Sequence, residues 1–154
     1  MMPRWRSVLP LLAGLGLAGC AGDLNASYVA PLAAPADAAV LAACITDFMA
    51  SRLPPATTTL ALDPLAPNQA GDALTPALTT ALRKRGFATV DAGGAAPPGA
   101  RRVRYWVTPM DTGNLVRLAI DGGAIEGSRF FARNKAGALQ AGGPFTVRSA
   151  GVAS

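Results

Sequence analysis

Few residues in this chain are able to do chemistry. It holds two cysteines, no histidine and nine acids. The lack of histidine removes the commonest general base and the commonest zinc ligand. The acids (Asp23, Asp37, Asp47, Asp63, Asp72, Asp91, Asp111, Asp121 and Glu126) fall mostly where caps and turns are expected, and their spacing gives no paired-carboxylate site. There is no Ser-His-Asp set, no metal-ligand spacing and no phosphate-cradling loop, and Gly93-Gly94 and Gly122-Gly123 read as turns. The expectation is a chain with no catalytic residues, no metal and no small-molecule substrate. Of the two thiols, Cys44 falls in the apolar stripe of a helix and reads as a small buried hydrophobe. A nucleophilic role for Cys44 in an envelope hydrolase is the alternative, but such a thiol needs an activating neighbour.

Cys20 has a different setting. Arg4 and Arg6 precede a mostly apolar run over residues 8–18, and Leu17, Ala18 and Gly19 stand directly before the cysteine. A basic start, a short apolar stretch and small residues before a cleavage point are the parts of a secretory signal peptide. The run is too short to span a bilayer. The Leu-Ala-Gly-Cys ending resembles the bacterial lipobox. That resemblance implies a signal peptide over residues 1–19, cleavage before Cys20, and a diacylglycerol plus an N-acyl chain such as palmitate on the new N-terminus. With about 0.8 kcal/mol per buried CH₂, two or more chains anchor stably where one holds marginally. Ala21 follows Cys20 in place of the Asp that would signal retention in the inner membrane. The resemblance thus implies a periplasm-facing lipoprotein of the outer membrane, with membrane lipid as its first partner and no other cofactor.

The elements that position these residues belong to a single domain. Removing residues 1–19 leaves enough chain for one domain and not comfortably for two. The apolar fraction of 51% is inflated by alanine, and seventeen Gly and thirteen Pro favour loops. The net charge of +5 falls to +3 once Arg4 and Arg6 leave, which suits solubility and gives no sign of nucleic-acid binding. With Cys20 acylated, Cys44 has no partner for an internal disulfide. Residues 20–36, rich in Ala with Pro31 and Pro35, read as a lipidated N-terminus and flexible tether. Its sixteen residues beyond Cys20 reach about 50 Å extended and about 20 Å as a coil. The alternative is a strand that packs on the domain, anchored by Tyr28 and Val29.

The domain itself is expected over residues 37–154. Residues 37–51 read as a first helix, with Asp37 as N-cap. Leu41, Cys44, Ile45 and Phe48 form one stripe, and Pro54-Pro55 stop the helix. Residues 57–62 read as a strand. A second helix covers roughly residues 68–85, its face marked by Leu74, Leu78 and Leu82. Pro76 leaves two starts open, at Thr75-Pro76 or a turn or more earlier. Arg83, Lys84 and Arg85 complement its C-terminal dipole and Gly86 suits the left-handed cap. A strand over residues 87–91 follows, parallel to the first through a right-handed crossover, and then a loop over residues 92–100.

The remainder reads as an antiparallel meander. Val103, Tyr105 and Val107 alternate with Arg102, Arg104 and Trp106; Val116, Leu118 and Ile120 share a face; and Asp121-Gly122 is a hairpin signal. Further strands are expected over residues 124–132 and 145–148. The fold class is α+β: two amphipathic helices packed on one face of a mixed, mainly antiparallel sheet of four to six strands. Arg102, Arg104, Trp106 and Arg117 would then lie on the opposite face. Trp and Arg are favoured at interface anchors, so Tyr28, Arg102, Arg104 and Trp106 are candidate partner-binding residues. The plainer reading is an aromatic covering the back of the sheet.

The order of these parts resembles the TrbH-like conjugal-transfer lipoproteins of type IV secretion machinery. The likeness lies in Leu17 to Cys20, in Pro54-Pro55-Ala56-Thr57-Thr58-Thr59-Leu60, in Leu82-Arg83-Lys84-Arg85-Gly86-Phe87-Ala88 and in residues 114–148. It implies a small accessory lipoprotein that binds protein subunits of a secretion channel or mating pilus. Pro76 and the Gly/Pro-rich loop over residues 93–99 depart from the family's pattern. An auxiliary lipoprotein of a transporter or outer-membrane assembly system is the rival reading.

Overall fold

In the computed structural model, which describes residues 26–67, 69, 72–91, 93 and 95–150, the alternating segment after residue 100 forms the centre of one sheet. Strand β4 (Arg101–Met110) turns into β5 (Gly113–Ile120), and β5 into β6 (Ile125–Arg133), all antiparallel. The hairpin signal at residues 121–122 folds as a short 3-10 turn, Asp121–Gly123, with Gly122 at φ 67° and Gly123 at φ 102°. Asp121 itself adopts φ 51°, and its carboxylate accepts the Arg102 N–H (3.0 Å) and binds the Arg101 guanidinium. That clamp holds a backbone conformation that non-glycine residues rarely adopt.

The two sides of this meander are extended in pairs. Along β4 lie β2 (Thr59–Leu62), opposite residues 101–103, and β1 (Tyr28–Val29), opposite residues 106–107, both parallel to it. Strand β3 (Ala88–Asp91) then pairs parallel to β2. Along β6 lie β8 (Thr146–Ser149) and β7 (Leu139–Ala141), both antiparallel. The sheet therefore has eight strands, more than the four to six expected, within the α+β class anticipated. Strand β7 was not anticipated, because three residues are too few for an alternation to show.

Strand β1 corrects the tether. Ala26, Ser27, Val29 and Ala30 are buried. The Ser27 N–H donates to Pro64 O (2.8 Å), Ser27 O accepts from Ala66 (3.1 Å) and the Ala30 N–H donates to Val107 O (3.0 Å). Residues 26–30 are thus part of the sheet, as the packed-strand alternative had it, and the domain begins before residue 37.

Helix α1 (Pro35–Arg52) starts two residues before the expected 37. Pro35 can open it because a first-turn N–H is unpaired anyway. Asp37 is in the first turn rather than the cap, and its carboxylate accepts the Ala34 N–H at 3.1 Å. Helix α2 (Leu74–Arg85) starts later than residue 68. The Asp72 carboxylate accepts the N–H groups of Leu74 (2.7 Å) and Thr75 (3.0 Å), placing Pro76 in the first turn. A helix running through Pro76 from residue 68 would clash its ring with the carbonyl four residues back. Gly86 closes α2 at φ 102°, as expected.

Leu41, Ile45, Phe48 and Met49 of α1 and Leu74, Leu78 and Leu82 of α2 pack with Val103, Tyr105, Val107, Val116, Leu118 and Ile120 in one core. Both helices thus cover the same sheet face. Each fully buried aliphatic side chain contributes about 2 kcal/mol. Among the described residues the other face carries no helix.

Candidate partner-docking face

Parallel and antiparallel pairing both place directly opposed residues on the same side of a sheet. Tyr28 is opposite Trp106, Trp106 opposite Arg117, Arg117 opposite Ser128 and Ser128 opposite Thr146. These five residues form one row across β1, β4, β5, β6 and β8 on the uncovered face. Val29 and Val107, next in line, point inward and are buried. Arg102 and Arg104 flank the row on β4. The four expected partner-binding residues, Tyr28, Arg102, Arg104 and Trp106, thus come together on one surface.

Trp106 is the centre of that surface. The guanidinium carbons of Arg117 and Arg104 lie 5.6 and 5.8 Å from its ring centroid. Such contacts contribute about 0.5–1 kcal/mol each at exposed sites and hold the indole in place. Tyr28 remains 40% exposed beside it. A carboxylate anchors the arginines from behind: Asp63, just after β2 and almost fully buried, accepts from Arg102 Nε (2.9 Å), Arg102 Nη2 (2.6 Å) and Arg104 Nε (3.1 Å). Asp63 thus ties two guanidiniums of the open face to one buried carboxylate.

Beyond Trp106 a groove of about 230 Å³ is lined by Arg117, Glu126, Ser128, Thr146 and Arg148. The sequence places Arg117 on this face without marking it as a binding residue, gives Asp63 only as an acid at a turn, and assigns no role to Ser128, Thr146 and Arg148. The signal for Arg117 was present, because the two-residue turn at Asp111-Thr112 between β4 and β5 fixes the register that sets it opposite Trp106. The others depend on pairings between β2, β6 and β8 that no local pattern specifies.

The covered face holds the larger cavity, about 420 Å³ between α2, the ends of β2 and β3, and Tyr105. Several of its polar groups are engaged within the fold. The Tyr105 hydroxyl lies 2.7 Å from Thr75 Oγ1, Arg83 Nε donates to Thr89 Oγ1 (2.7 Å), and Asp72 caps α2. Burial pushes the Tyr105 hydroxyl up to about 12, so it stays protonated at any physiological pH. Cys44 lies half-buried on α1 against the core. Among the described residues no group of three or more His, Cys, Asp or Glu side chains could hold a metal ion, and no helix is long and apolar enough to cross a membrane. Leu17, Ala18, Gly19 and Cys20 lie outside the described residues.

A sheet closed by two helices on one face and open on the other, with an aromatic–arginine cluster at the centre of the open face, defines a two-layer α+β domain. Residues 22–150 match the family model described as conjugal transfer protein TrbH, and the chain belongs to the TrbH family. It is therefore an accessory protein of conjugal transfer, as the resemblance implied. No curated protein and no solved structure matches this chain.

Proposed function

We propose that this chain is a lipid-anchored envelope protein of a conjugative type IV secretion apparatus, and that it acts by binding channel or pilus subunits on its open sheet face. The observation that carries this reading is the convergence of Tyr28, Arg102, Arg104 and Trp106 on the one large face that the helices leave bare. Trp and Arg anchor interfaces because each combines a large contact area with directed polar contacts. Family membership favours conjugation over the transporter-auxiliary alternative.

Anchoring through acyl chains on Cys20 places the domain at the periplasmic leaflet, in the outer membrane on the strength of Ala21. Because β1 captures residues 26–30, only residues 21–25 separate Cys20 from the folded domain. Six Cα steps reach at most about 20 Å. The domain therefore works beside the bilayer, and its partner must present a surface there.

Two substitutions in a conjugation-proficient donor test the two parts separately. Cys20→Ser is expected to release the protein from membranes and lower mating. Trp106→Ala is expected to keep localisation and folding while losing cross-links to apparatus subunits. Normal mating and localisation with Cys20→Ser would exclude anchoring. Full retention of cross-links with Trp106→Ala would exclude the open face.

A further inference from the structure

The charges on the open face are unequally paired. Among the described residues, Arg102 and Arg104 share the Asp63 carboxylate, while Arg117 and Arg148 stand beside a single further carboxylate, Glu126. Glu126 is the cross-strand neighbour of Arg148 but forms no ion pair with it. Among the described residues, neither Arg117 nor Arg148 has an ion-pair partner, and both are exposed. They flank the groove beside Trp106, whose floor offers the hydroxyls of Ser128 and Thr146. The row from Tyr28 to Thr146 covers four inter-strand intervals, about 19 Å, which matches about six residues of extended chain.

From this we infer that the groove takes an extended acidic segment of the partner, with a carboxylate between Arg117 and Arg148 and an apolar neighbour against Trp106 and Tyr28. The inference rests on the open-face reading and adds the chemistry of what docks there. Guanidinium groups bind carboxylates through paired N–H donors, and hydroxyls at the groove floor can donate to a remaining oxygen. The indole, fixed by Arg104 and Arg117, supplies a rigid apolar wall. A basic segment would meet unneutralised arginines and be excluded. Opposed charge also speeds encounter more than it tightens the final complex.

The sequence contains two tryptophans, so in the Trp5→Phe background the intrinsic fluorescence comes from Trp106 alone. The full chain in neutral detergent is titrated with decapeptides that alternate valine with glutamate, glutamine or lysine. The glutamate peptide is expected to shift Trp106 emission and to bind at least tenfold more tightly than the glutamine peptide, with the lysine peptide not binding. Raising salt should erase the preference, as should Arg117→Glu/Arg148→Glu and the milder Arg117→Gln/Arg148→Gln. Equal binding of the glutamate and glutamine peptides overturns the inference. So does arginine-dependent binding of phosphatidylglycerol vesicles without peptide binding. A photo-cross-linker at Thr146 in mating donors separates the two claims. Capture of a segment containing Asp or Glu supports the inference. Capture of a segment lacking acids overturns it and leaves open-face docking intact, whereas no protein cross-link at all overturns both.

Discussion

Arg133, at the end of β6, holds Asp37 in the first turn of α1 through both ends of its guanidinium, Nη2 at 2.6 Å from Oδ2 and Nη1 at 3.3 Å from Oδ1. The pair joins the N-terminus of a helix to the far side of the sheet, and the Asp37 carboxylate also receives the Ala34 N–H. Hydrogen bonding from Arg133 keeps the Asp37 carboxyl below its ordinary value of 3.8. A carboxylate with a lowered folded pKa stabilises the fold above its unfolded pKa, and that stabilisation is lost as pH falls through the folded value. Thermal melts from pH 7 down to pH 2 should therefore show a stability loss below about pH 4 that is reduced in Asp37→Asn. At neutral pH Asp37→Ala is expected to lower Tm by about 5 °C or more, since it leaves a partly buried arginine without its partner. An unchanged acid limb in Asp37→Asn would show that the pair does not couple to folding.

Gly127 on β6 sits under the ring of Phe48 from α1. A Cβ at this position would fall 2.7 Å from Phe48 Cζ. The ring cannot easily yield, because it is buried and lies 4.5 Å from the Phe145 ring. Gly127→Ala should cost about 1–3 kcal/mol by overpacking, measured by urea unfolding. Gly143→Ala, where a Cβ meets nothing within 4 Å, is the control and should be close to neutral. A silent Gly127→Ala would mean that α1 does not rest on β6 at this point.

Tyr105 ties β4 to α2 through its hydroxyl, 2.7 Å from Thr75 Oγ1. Its folded pKa is raised to about 12, chiefly by burial. A raised folded pKa stabilises below the unfolded value, near 10, and this stabilisation is lost as pH rises toward 12. In a Tyr28→Phe background Tyr105 is the last of the two tyrosines. Its tyrosinate absorbance should appear near pH 12, and below that only together with loss of the circular-dichroism signal. Ionisation near pH 10 in a chain that is still folded would contradict its burial. Tyr105→Phe should cost about 1 kcal/mol for the lost hydrogen bond.

The open face was legible in the sequence wherever local pattern decides it. The alternation over residues 102–107 separates Arg104 and Trp106 from Val103, Tyr105 and Val107, and the apolar periodicity of α1 and α2 tells which side the helices cover. Asp63 looked like a strand-ending turn residue. Its role as the buried anchor of Arg102 and Arg104 arises only when β2 is laid beside β4, a parallel pairing across about forty residues of chain. Strands β1 and β7, two and three residues long, carry no periodic signal and exist because β4 and β6 have unfilled edges. Tyr28 could be named as an anchor, but its place beside Trp106 follows from that edge pairing. The start of α2 was ambiguous because Pro76 is tolerated in a first turn, and the Asp72 cap settles it.

Ser27 fills a gap in the sheet that these short strands create. Strand β2 covers β4 through Val103 and β1 takes over at Trp106, which leaves the Tyr105 N–H between them. Ser27 Oγ accepts that N–H at 3.2 Å from a fully buried position. Ser27→Ala should cost about 1–2 kcal/mol, since it leaves a buried donor unpaired. Slow amide exchange at Tyr105 is the direct measure, and it should accelerate in Ser27→Ala more than at Val103. If the two amides respond alike, Ser27 does not bridge the strands.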